Sequence, residues 1–68
     1  MIYMLQYTSK GQLQFVQTSE HEYQQFTSYE EALKELSALK QHMRILIDSG
    51  IIDVFDAYMT LTIIEVYE

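Results

Sequence analysis

The sequence predicts a small α+β domain: an antiparallel sheet of three or four strands packed on one helix, in the order ββαβ or ββαββ. Three observations carry this. The chain opens with a run of β-formers, then a turn containing glycine, then a segment that alternates apolar with polar residues. Its middle has helical apolar spacing with a cap signal at each end. Its end is rich in Thr, Ile, Val and Tyr, which suit a pleated, half-buried surface. With 68 residues there is room for one domain, spanning 1–68.

Residues 2–7 are β-formers and predict the first strand. Thr8, Ser9, Lys10 and Gly11 follow as a turn, with glycine free to take a positive φ. Residues 12–18 alternate and predict the second strand. Leu13 and Phe15 then face one way, Gln12 and Gln14 the other. Residues 19–26 are polar and are read either as a continuation of that strand or as a loop.

The helix is expected over residues 29–49. Thr27 and Ser28 both have glutamate three positions on, Glu30 and Glu31, which is the capping-box pattern. Tyr29, Ala32, Leu33, Leu36, Leu39, Met43, Leu46 and Ile47 recur at helical spacing. Acids lead and the bases Lys40 and Arg44 follow, which complements the helix dipole. Glu30 and Lys34 form a favourable i,i+4 pair. Gly50 stops the helix. Residues 51–56 suit either a short strand or a loop with a helical turn. Residues 58–67 predict the last strand.

One helix covers one sheet face. Alternation assigns Tyr3, Leu5, Leu13, Phe15, Met59, Leu61 and Ile63 to that covered face. Ile2, Met4, Val16, Ile64 and Val66 then point the other way, with no second helix to bury them. They are scattered surface aliphatics or a self-association patch. A homodimer is the simplest form of the second reading, because a chain this short has little core to offset its ordering entropy.

Composition narrows the function. Four Lys and Arg stand against ten Asp and Glu, a net charge of −6. Clustered bases are needed to neutralise phosphates, so direct nucleic-acid binding is disfavoured, as is an anionic membrane surface. A partner protein with a basic surface fits the charge. The longest apolar run is far below the roughly 20 residues of a membrane helix. The first residues lack the basic region of a signal peptide. Cysteine is absent, which excludes disulfides and thiol chemistry and agrees with a reducing compartment. A cytoplasmic location is the expectation.

No catalytic, cofactor or metal site is expected. His42 sits on the helix with Ala38 and Leu46 one turn away, so it lacks the partner of a zinc pair. His21, in Glu20-His21-Glu22, reads as a loop residue. Asp48, Asp53 and Asp56 lack calcium-loop spacing. No phosphate-cradling glycine motif is present.

The charge asymmetry of the C-terminal third is more informative. Beyond Arg44 there is no Lys or Arg, while Asp48, Asp53, Asp56, Glu65 and Glu68 add five negative charges. Asp53 and Asp56 alternate with Ile51, Ile52, Val54, Phe55 and Tyr58. Acids around aromatics suit a basic protein surface. This makes Asp53, Phe55, Asp56 and Tyr58 the candidate protein-binding residues. The plainer reading has the acids solvate a turn while Ile52 and Phe55 complete the core.

Size, acidity and element order together resemble many small phage-encoded proteins that bind and block a host enzyme or defence complex. The resemblance is one of type, and no motif assigns a family. It implies a non-catalytic inhibitor or adaptor. The alternatives are a homodimeric structural protein and a nucleic-acid mimic. The mimic fits the sign of the charge, but the helix also carries Lys34, Lys40 and Arg44.

Overall fold

The computed structural model describes residues 1–19 and 22–67. Strand β1 (Ile2–Ser9) and strand β2 (Gln12–Phe15) form a hairpin; β3 (Gln17–Ser19) and β4 (Glu22–Tyr23) form a second, shorter one. Helix α1 (Tyr29–Asp48), helix α2 (Phe55–Thr60) and strand β5 (Thr62–Val66) follow. The main sheet has the order β2-β1-β5 and is antiparallel throughout. The chain is a small α+β domain with a three-stranded sheet and a two-stranded one.

The hairpin turn is two residues long, Lys10 and Gly11, at φ 53° and 78°. Positive φ at both central positions is what a type I′ turn requires, and its twist matches that of the strands. Glycine takes this conformation freely, whereas lysine does so against a steric penalty. The short turn pairs Ser9 with Gln12 and Gln6 with Phe15. Odd positions of β1 therefore face even positions of β2.

That parity corrects the face assignment. Val16, expected on the outer face, donates its N–H to the Leu5 carbonyl at 3.0 Å and packs against the core. Leu13 and Phe15, expected in the core, lie opposite Thr8 and Gln6 and share the outer face with Met4. Sharing a face with Leu5 would have needed a loop of odd length. The other face assignments in β1 and β5 hold, but Met4, expected to lie uncovered on the outer face, is buried. Leu5, Ala32 and Leu61 form the buried core, with Tyr3, Phe26, Leu36, Leu39, Met43 and Ile63 packed around it.

The second strand also ends early. Val16 breaks it, and the chain leaves as β3–β4 before returning beside β1. There Gln24 donates to Val16, and Tyr3 and Phe26 exchange two backbone bonds at 2.8 and 2.9 Å. His21 and Glu20 lie outside the described residues, so the loop reading of His21 does too.

Helix α1 begins where its cap is. The Ser28 hydroxyl accepts from the Glu31 N–H at 3.3 Å, leaving Thr27 outside. Tyr29 meets Tyr3 edge-to-face at 5.9 Å and ties the first turn to the sheet. The helix ends at Asp48, with Ser49 as its cap. Gly50 (φ 95°) donates to Ile47 and Ile51 donates to Leu46, the paired bonds of a Schellman motif. Among the described residues the ion pair is Arg44–Asp48 at 3.3 Å, on the surface; Glu30 and Lys34 do not close.

Residues 58–61 are not strand. Tyr58, Met59 and Thr60 belong to α2, a second helix where strand was expected, and Met59 is exposed rather than in the core. Residues 51–54 form a loop with a turn, closed by Phe55 N–H to Ile52 at 3.0 Å. Two features explain the change. In the register of β5 on β1, which pairs Ile2 with Val66 and Gln6 with Thr62, a strand starting at Tyr58 would reach Lys10 in the hairpin turn. Ala57 is buried and small, which lets α2 approach β1.

Thr60 joins the two elements. Its hydroxyl accepts from the Thr8 N–H at 2.8 Å and donates to the Asp56 carbonyl at 2.7 Å. A side chain here replaces the missing ladder bond. Thr60→Val keeps the shape and removes both bonds, so stability should fall by about 1 kcal/mol, while Thr60→Ser should keep most of it. Urea unfolding of the three proteins measures this; equal midpoints would show that the bridge contributes nothing.

Candidate functional site

The candidate residues lie on the segment between the α1 stop and β5. The Schellman turn at Gly50 aims the chain away from α1. The turn at Asp53 and Val54 then starts α2 at Phe55. No side chain caps α2, and Asp56 sits in its first turn.

Exposure decides between the two readings of this segment. Ile52 is 71% exposed, Phe55 48% and Met59 62%. Ile52 and Phe55 therefore do not complete the core. Phe55 and Met59 are one turn apart and share a face of α2. Asp53 and Asp56 are exposed beside them. The result is an apolar strip with carboxylates at its flank.

Tyr58 is placed differently from its companions. It is half-buried and turned toward α1, with the Lys40 ammonium 5.6 Å from its ring centroid. That distance is within cation–π range. Arg44 is held above its usual pKa, first by the Tyr58 hydroxyl and then by Asp48. Lys40 and Arg44 are both residues of α1, and neither lies on the segment of Asp53 and Asp56. Asp53, Phe55 and Asp56 stay together as a surface; Tyr58 braces it from behind. Met59 was missed because the Thr- and Ile-rich sequence after it reads as one continuous strand. Ala57 and Met59, both good helix formers, were the available signal.

The outer sheet face is the second candidate surface. Ile2 pairs with Val66 and Met4 with Ile64, so four of the five expected side chains share it. Val16 does not, for the reason given above. Phe15 replaces it and meets Tyr23 edge-to-face at 5.9 Å. Met4 is buried, while Ile2, Phe15, Ile64 and Val66 are half-buried. On the opposite face, where Glu65 pairs with Tyr3, the Tyr67 hydroxyl donates to Glu65 at 3.2 Å, and that bond raises the Tyr67 pKa.

Between the helices and β2 runs a groove of about 870 Å³. Tyr7, Val16, Leu39, Met43 and Val54 line it, with Asp53 at its rim. It exists because α1 runs mainly over β1 and β5 and leaves β2 less covered. His42 is exposed. Among the described residues no group of three or more His, Asp or Glu is arranged to hold a metal, and no helix is long and apolar enough to cross a membrane.

Exposed apolar groups contribute little to folding. Phe55→Ser and Ile52→Ser should each change stability by no more than about 0.5 kcal/mol, whereas Leu61→Ala, at a buried position, should cost about 2–5 kcal/mol. Thermal unfolding checks this. A large loss for Phe55→Ser would return the side chain to the core.

No protein-family model matches the chain, and no match was found among the curated proteins or among the solved structures.

Proposed function

We propose that the protein is a non-catalytic protein-binding module, a small acidic inhibitor or adaptor of the phage host-takeover or counter-defence type. It blocks a target in the cytoplasm by covering part of its surface. The observation that carries this reading is the strip of Ile52, Phe55 and Met59, exposed beside Asp53 and Asp56. An aromatic with apolar neighbours supplies the desolvated centre of an interface, and the acids at its edge select a basic partner. A chain carrying −6 attracts such a surface before contact.

The test is capture by a photo-crosslinking amino acid placed at position 55 in cells of the source organism. One protein with a basic surface should be captured, and Asp53→Asn with Asp56→Asn should reduce its yield severalfold. Capture that ignores both substitutions, or no specific product, would remove the proposal.

A second reading has its own observation. Ile2, Met4, Ile64 and Val66 form one contiguous face, which suits a homodimer with a structural role. Size-exclusion chromatography with light scattering, from low to high micromolar protein, should then show a dimer that Ile64→Lys converts to monomer. An unchanged mass in the variant would rule out this interface.

A further inference from the structure

The groove and the strand edge beside it point to one kind of ligand. Hydrogen-bond direction identifies the free backbone groups. On β1, Thr8 donates toward Thr60 on the β5 side, while Leu5 accepts from Val16 on the β2 side. Even positions of β1 therefore point to β5 and odd positions to β2. The register pairs Tyr7 with Gln14 and Ser9 with Gln12, so Gln12 and Gln14 turn their backbone groups inward. Leu13 and Phe15 turn theirs outward, along the edge of the sheet. The sequence contains no proline, and β2 itself carries no lysine, so two usual protections of a strand edge are lacking.

The groove opens next to this edge, and Leu13 and Phe15 border it. Val16, Leu39, Met43 and Val54 also line it. Asp53 is the only charged side chain among the described residues lining it. We infer that an extended peptide segment, alternating apolar with basic residues, adds to the edge of β2 as a fourth strand. Its backbone pairs with Leu13 and Phe15. An apolar side chain enters the groove, and a Lys or Arg reaches Asp53. Strand addition of this kind takes its affinity from the main chain and its specificity from side-chain pockets. A second copy of this chain is the poorer occupant, because each copy carries −6. The inference rests on the protein-binding reading and specifies the partner as a basic strand.

The test titrates the isotope-labelled full chain with a short peptide of alternating valine and lysine, followed by NMR. A peptide with glutamate in place of lysine is the control. The Leu13 and Phe15 amides should shift and become protected from exchange, with shifts also at Met43 and Val54. The glutamate peptide should not bind. Leu13→Pro removes only an outward N–H and should abolish binding with the fold intact. Asp53→Asn should weaken binding by roughly fivefold, the upper range for an exposed ion pair; this variant keeps the inference testable if Leu13→Pro fails to fold. Shifts confined to Ile52 and Phe55, equal binding of both peptides, no binding, or concentration-dependent broadening of Leu13 and Phe15 in the protein alone would each overturn strand addition. None of these results bears on capture at position 55, which tests the protein-binding reading separately.

Discussion

The two-residue turn at Lys10 and Gly11 decides which side chains of the sheet share a face, and the surfaces of the molecule follow from it. Because the loop holds two residues, odd positions of β1 meet even positions of β2. Val16 is drawn into the core beside Leu5, and Leu13 and Phe15 are turned out. One added loop residue would reverse all three. The turn is held at a conformation that lysine adopts at some cost. That cost is met by the ladder it closes and by the packing of Val16.

The core built on this register is thin. Among the described residues Leu5 is the only large side chain that is fully buried, and it meets Ala32 and Leu61. Small residues mark both close approaches: Ala32 where α1 crosses the sheet and Ala57 where α2 meets β1. Close approach improves dispersion contact but leaves little apolar volume inside. Apolar side chains in excess of that volume stay at the surface, on α2 and on the outer sheet face. A small domain has too few interior sites for all of them. Their grouping into an acid-flanked strip and one sheet face gives the molecule surfaces suited to association.

Charge is sorted in the same way. Lys40 lies over the Tyr58 ring, and Arg44 pairs with Asp48. These bases lie on α1, while the segment of Asp53 and Asp56 carries no Lys or Arg. The exposed Arg44–Asp48 pair adds little stability, so its main consequence is where it leaves the remaining charge. The field of the acids is long-range only at low salt, because it is screened beyond about 10 Å at 0.1 M. Association driven by it is correspondingly salt-dependent.

The sequence by itself determined the class of fold, the first hairpin, and helix α1 to within one residue. These rest on local physics: Ser28 caps its own helix, Gly50 ends it, and 3.6-residue spacing marks its buried face. The acidic character of the 51–58 segment was equally legible. The tertiary structure alone decided three things. The parity of the hairpin depends on whether an even or an odd number of residues forms the turn, and the stretch from Thr8 to Gly11 read as turn leaves that number open. The helical state of residues 55–60 depends on Ala57 packing against β1 and on Thr60 reaching Thr8, both contacts across some fifty residues of chain. The exposure of Ile52 and Phe55 depends on how little space Leu5, Ala32 and Leu61 leave. Each outcome is set by contacts between distant segments, which periodicity and propensity do not encode.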